Sequence, residues 1–186
     1  LEGIVTQTTY IPELQLGIIV LTNQQSGAAF NAITNTIKDS YLGITSEDYV
    51  SIYSNRAKAN EETADKTSDE VWAKVAQNKK EKIKVDFKKI IGTYTDNWFG
   101  NVTIFEKKGK IYFQSQRSSQ LAGEVFFYKD GNYVVKWNNA YFHADAHLNF
   151  AYDANGLATT LKMNAISELT DFSYDFQDLN FKKIKE

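Results

Sequence analysis

Apolar positions fall into three regimes along the chain. In the first, Leu1-Glu-Gly-Ile-Val-Thr-Gln-Thr-Thr-Tyr10 reads as a strand, Ile11-Pro-Glu-Leu-Gln15 as a turn, and Leu16-Gly-Ile-Ile-Val-Leu-Thr22 as a second strand. The second run is apolar on both faces, the pattern of a strand buried inside a sheet. An isolated hairpin cannot bury such a run. Its sheet neighbours are therefore expected upstream of Leu1, and without them 18–21 is expected to lie exposed. Residues 26–42 read as a helix, with Ser26 as N-cap and Gly43 as the left-handed residue that ends it. Phe30, Ile33, Ile37 and Tyr41 fall at helical spacing and predict a stripe that packs on the two strands.

The second regime is polar. Thr45-Ser-Glu-Asp48 resembles a helix start, and Tyr49, Val50, Tyr53 and Ala57 continue a short stripe. Between Ala57 and Ile83 the large apolar residues are Val71, Trp72 and Val75, set among runs such as Lys79-Lys-Glu-Lys82. This predicts a solvated helical connector with a break near 66–68.

The third regime begins after Ile90. Short alternating runs recur with turn signals between them: 92–95, 102–105, 110–115, 124–128, 133–137, 147–152, 157–163 and 179–184. Gly109, Asp130-Gly131 and Asn155-Gly156 mark hairpin turns. About eight antiparallel strands fit an up-and-down barrel or a sandwich. Successive hairpins without long crossovers favour the barrel. The fold class is thus mainly β with helices (α+β), divided as 1–44, 45–88 and 89–186.

Composition removes several functions. There is no Cys, hence no disulfide framework, thiol nucleophile or Cys-ligated metal. A formal net charge of -2 gives no basic excess for nucleic acid. No apolar run approaches the ~18 residues needed to span a bilayer.

Two groups of residues carry a family resemblance. Leu1-Glu-Gly-Ile-Val, the Ile11-Pro-Glu-Leu-Gln-Leu-Gly17 turn and Ile18-Ile-Val-Leu-Thr-Asn23 resemble the end of a serine β-lactamase-like domain, as in class C β-lactamases, penicillin-binding proteins and related esterases and peptidases. Ile91-Gly-Thr-Tyr-Thr-Asp-Asn-Trp-Phe-Gly100, Leu121-Ala-Gly123, Asp145-Ala146, Asp153-x-x-Gly156 and Phe172-Ser-Tyr-Asp-Phe-Gln-Asp-Leu179 resemble the lipocalin-like β-barrel appended to many of those hydrolases. The resemblance implies an accessory, non-catalytic C-terminal region of an exported bacterial serine hydrolase, periplasmic or extracellular. Its expected partner is its own N-terminal catalytic domain, with a homo-oligomer and a small apolar ligand or peptide as further partners. No cofactor is implied. The alternative is a stand-alone barrel that binds a small apolar ligand.

The family's Ser-x-x-Lys motif does not occur: Ser51-Ile-Tyr-Ser54, Ser68-Asp-Glu-Val71 and Ser115-Gln-Arg-Ser118 all lack the Lys. Tyr53-Ser-Asn55 matches Tyr-x-Asn only in letters, within the charged connector. No catalytic residue is assigned, and whether the chain has enzymatic activity is left open.

Three weaker sets remain. Phe126, Tyr128, Tyr133, Trp137, Phe150 and Tyr152 supply aromatic rings for a packed interior or an apolar pocket. Asn97, Trp98 and Phe99 form an aromatic turn, either exposed and able to meet the hydrolase domain or a partner, or buried as part of the structure. His143, Asp145 and His147 have ligand chemistry at i, i+2, i+4, which places them on one face if the strand includes all three. The reading adopted for them is surface or barrel-mouth polar residues. The acidic residues Asp96, Glu168, Asp171, Asp175 and Asp178 are read as turn and cap residues.

Overall fold

The computed structural model describes residues 3–24 and 26–184. Leu1 and Glu2 of the expected first strand lie outside them. The chain forms two compact units, 1–63 and 64–186, whose boundary falls inside one long helix.

In the first unit, β1 (Val5–Ile11) and β2 (Leu16–Thr22) pair antiparallel around the turn Pro12–Leu14, closed by Gln15 at φ 48°. Helix α1 (Gly27–Leu42) starts at Ser26, whose hydroxyl accepts the Ala28 N–H, and ends at left-handed Gly43. Ile18 and Val20 are buried, but their neighbours Ile19 and Leu21 are 69% and 74% exposed. The run 18–21 is therefore exposed on one face only. The stripe predicted for α1 is corrected too: Ile33 and Tyr41 are exposed, while Ala32, Thr34 and Asp39 are buried. Polar contacts set the helix's rotation. Asn31 and Thr34 hydrogen-bond Gln7 of β1, and Asn35 and Asp39 bond Tyr53 and Tyr49.

Helix α2 (Tyr49–Lys80) runs unbroken for 32 residues, through the expected break. Its cap is Asp48: one carboxylate oxygen accepts the Ser51 N–H at 3.1 Å and the other its hydroxyl at 2.6 Å.

In the second unit, β3 (Gly92–Asp96), β4 (Gly100–Lys107), β5 (Lys110–Ser115), β6 (Ala122–Lys129), β7 (Asn132–Trp137), β8 (Ala146–Tyr152), β9 (Ala158–Ala165) and β10 (Phe181–Lys183) form a closed antiparallel barrel. Each strand pairs with its sequence neighbour, and β10 closes the ring between β9 and β3. Lys108-Gly109 and Asp130-Gly131 all have positive φ, as two-residue hairpins require. Alternate side chains fill the interior: Tyr94, Val102, Ile104, Phe113, Leu148, Leu161 and Phe181 are fully buried. Phe176 and Leu179, just before β10, cover one end. Val85 and Phe87, on the segment that leads from α2 to β3, pack at the other.

The second half of α2 is not solvated all round. Val71 and Val75 are buried with Val134 and Ile166 on the outside of the barrel, flanked by Trp72, Phe126 and Tyr128. Strand β6 bulges between Phe127 and Lys129, and the buried Asn78 side chain donates to the carbonyls of Phe127 and Tyr128 there.

Candidate functional site

The six aromatic residues of the expected pocket separate into two environments. Tyr133, Trp137 and Phe150 point into the barrel. Tyr133 packs on Phe87, Phe127 and Phe150 at ring distances of 5.6–5.8 Å. Burial pushes its phenol pKa up, helped by Tyr152. Tyr152 sits at the barrel mouth, its hydroxyl donating to the Gly131 carbonyl at 3.3 Å. Phe126 and Tyr128 face the other way, under α2. Strand alternation is the cause: Val125 and Phe127 take the inner positions of β6, so Phe126 and Tyr128 take the outer ones.

His143, Asp145 and His147 do not converge. The strand starts at Ala146, so only His147 belongs to it. His143 is exposed on the β7–β8 loop. Asp145 is half-buried and accepts the Trp137 N–H at 3.1 Å. Burial pushes its carboxyl up, and the Trp137 N–H, Lys136, Trp72 and His143 draw it back only in part. The His147 ring lies 5.5 Å from Tyr128. Burial, then Lys129, holds its imidazole below the usual range. Among the described residues no group of three His, Cys, Asp or Glu is placed to hold a metal ion.

The aromatic turn is built by Asp96. One carboxylate oxygen accepts the N–H groups of Trp98 and Phe99 at 2.8 and 2.9 Å, and the other accepts Asn180 N–H at 3.0 Å. The Arg117 guanidinium donates to the Trp98 carbonyl at 2.5 Å. Phe99 turns inward onto Phe181. Trp98 is left 56% exposed and Asn97 is exposed, so the turn presents one indole to solvent.

Two clefts flank the helix. One of about 490 Å³ lies between α2 and the β7–β8 loop, lined by Asp65, Trp72, Lys136, His143 and Asp145. The other, about 410 Å³, lies between the end of α2 and the β5–β6 strands, lined by Asn78, Lys79, Lys82, Ile83, Phe126 and Phe127. Helical hydrophobic periodicity does not point to the second. Its signal is the alternation Lys82-Ile-Lys-Val-Asp-Phe87 directly after a lysine run.

The family model for a domain of unknown function, DUF3471, matches residues 76–183. The chain belongs to the DUF3471 family. The match runs from the last turn of α2 through β10, so Asn78 and the lysines that follow are part of the DUF3471 domain together with the barrel. No curated protein matches the chain.

Proposed function

We propose that this chain is the accessory C-terminal region of an exported bacterial serine hydrolase of the β-lactamase-like class. The DUF3471 barrel shapes substrate access to the catalytic domain or joins copies of the enzyme. The catalytic steps belong to a segment outside this chain: a serine attacks an amide or ester carbonyl, and water releases the acyl group. The compartment is periplasmic or extracellular.

One observation carries the reading. The β1–β2 sheet has two strands, and its outer face presents Ile19 and Leu21 to solvent while α1 covers the inner face. A two-stranded sheet with exposed apolar side chains on one face and both edges unpaired among the described residues supports reading it as part of a larger sheet. The residues that carry the resemblance to the end of a β-lactamase-like sheet are these same strands. The barrel adds support: its interior positions are occupied by its own side chains, which favours an access or assembly role over carriage of a ligand inside the barrel.

The test begins with the coding sequence upstream of the Leu1 codon. Ser-x-x-Lys, Tyr-x-Asn and a His-x-Gly or Lys-Thr-Gly strand motif are expected there. The full-length product should be acylated by a fluorescent penicillin or hydrolyse a p-nitrophenyl ester. Deleting 89–186 should change its kcat/KM profile across ester and peptide substrates. An upstream sequence without those motifs overturns the hydrolase parentage. An unchanged profile and unchanged oligomeric state after deletion overturn the role assigned to the barrel.

A further inference from the structure

The barrel end that receives the chain from α2 concentrates positive charge. Lys79, Lys80, Lys82, Lys84, Lys88 and Lys89 lie on the stretch leading into β3, and Lys107, Lys108 and Lys110 lie at the β4–β5 turn of the same end. Glu81, Asp86 and Glu106 are the acids within those two stretches. The rest of the chain therefore holds the acidic excess that brings the total to -2.

This charge rims the cleft of about 410 Å³, whose size suits one small molecule. Its wall is apolar: Val75 from α2, Ile83, Val85 and Phe87 from the next segment, and Phe126 and Phe127 from β6. Ile83 is 46% exposed there. Glu124, the acid that lines the cleft, is engaged by Lys110 at 2.8 Å. Lys79 stands 3.9 Å above the Phe126 ring centroid. Lys82 makes no ion pair among the described residues.

The end of α2 gives Lys82 a further distinction. Helices α1 and α2 close with the same pair of backbone bonds: Gly43 and Ile44 bond Ser40 and Asp39, and Lys82 and Ile83 bond Lys79 and Asn78. In α1 the left-handed position is filled by glycine. In α2 it is filled by Lys82 at φ 53°, where a Cβ is unfavourable. The helix closure does not call for a lysine there.

We propose that this cleft binds an amphipathic anion, a single apolar chain with a carboxylate head. The chain lies against Ile83, Val85, Phe126 and Phe127, and Lys79 and Lys82 hold the head by charge-assisted hydrogen bonds. This site lies at the barrel end beneath the last turn of α2, between the outward Phe126 and the inward Phe127, and does not rest on the hydrolase reading.

The test is a fluorescence titration of the chain with cis-parinarate, followed by displacement with dodecanoate and, separately, with dodecanol. One saturable site is expected, emptied by dodecanoate at least tenfold more effectively than by dodecanol. The double variant Lys79→Glu/Lys82→Glu should weaken binding at least tenfold. Lys162→Glu/Lys182→Glu, which makes the same charge change on β9 and β10, should stay within twofold of the parent. Far-UV circular dichroism confirms that each variant folds. Lys82→Gly should weaken binding while raising the midpoint of chemical unfolding. Absence of saturable uptake overturns the site, as does equal loss in the two double variants. Equal displacement by dodecanol overturns the anionic head. Binding to anionic phospholipid vesicles without cis-parinarate uptake assigns the charge to a membrane surface and overturns the cleft.

Discussion

Phe113 and Trp137 meet edge-to-face at 5.4 Å between ring centroids, although a whole strand, β6, separates their backbones. The residue of β6 in register with both is Gly123. A methyl group there would drive into the Lys136 carbonyl and the Val135 side chain. The position between the two rings thus carries no side chain, and the close backbone approach of β7 is what requires glycine there. Trp137 is fixed from the far side as well, its indole donating to the Ala144 carbonyl at 2.6 Å.

Gly123→Ala is therefore expected to destabilise the barrel by about 3 kcal/mol, the upper range for overpacking, because a backbone carbonyl cannot step aside. Guanidinium unfolding followed by tryptophan fluorescence measures it. A loss below ~1 kcal/mol would mean that β6 and β7 shift apart freely and that their close approach at Gly123 is not fixed.

Asn78 ties α2 to the barrel at the β6 bulge, donating to the Phe127 and Tyr128 carbonyls at 3.3 and 2.6 Å. Asn78→Ala should cost about 1–3 kcal/mol, since a buried carbonyl then loses its donor. Asn78→Asp should cost more, because it sets a carboxylate against two carbonyl oxygens. Chemical unfolding of the two variants gives the order. If aspartate is tolerated better than alanine, the amide is not the clasp.

Much of the barrel was legible because its strands alternate and its tightest hairpins carry Asp130-Gly131 and Gly109. The relation of Phe126 to Phe127 was not. In Val125-Phe-Phe-Tyr128 every position is apolar or aromatic, since α2 covers the outer face of the strand as the core covers the inner. Only the long-range packing of Val71 and Val75 divides the four. Those two valines make a narrow stripe in a charged segment, so composition alone gave a solvated connector. The rotation of α1 was hidden for a related reason. Gln7 on β1 bonds Asn31 and Thr34, and a polar pair across two elements leaves no trace in hydrophobic periodicity. The cleft residues Lys79, Lys82 and Ile83 sit in what reads, by composition, as an exposed charge run.

Asp96 sets the pH response of the aromatic turn. Burial raises its carboxyl, but the N–H groups of Phe99, Asn180 and Trp98 together outweigh that, and its pKa lies below the usual value. A depressed carboxyl stabilises the fold above its unfolded pKa of about 4, and the contribution fades as pH falls through the folded value. Asp96→Asn should therefore be less stable than the parent at about pH 7, with the gap closing toward about pH 2. Unfolding midpoints across that range decide it. A gap that stays constant would assign the effect to hydrogen-bond geometry rather than charge.

The open face of the first unit gives a last prediction. Ile19 and Leu21 project from β2 on the side away from α1, and Tyr10 of β1 is exposed as well. Burying an aliphatic side chain of this size is worth roughly 1.5–3 kcal/mol, so covering this face would favour association. The chain by itself should self-associate through it. Ile19→Lys/Leu21→Lys should shift the sedimentation profile toward monomer without loss of helix signal, because neither side chain is buried in the unit. In the longer hydrolase proposed above, the same pair of substitutions should instead lower the unfolding midpoint, since there a second packed layer of the domain would cover this face. Sedimentation that is unchanged by the two lysines would mean that the face stays wet in this chain. An unchanged midpoint in the longer protein would count directly against the β1–β2 hairpin belonging to a larger sheet.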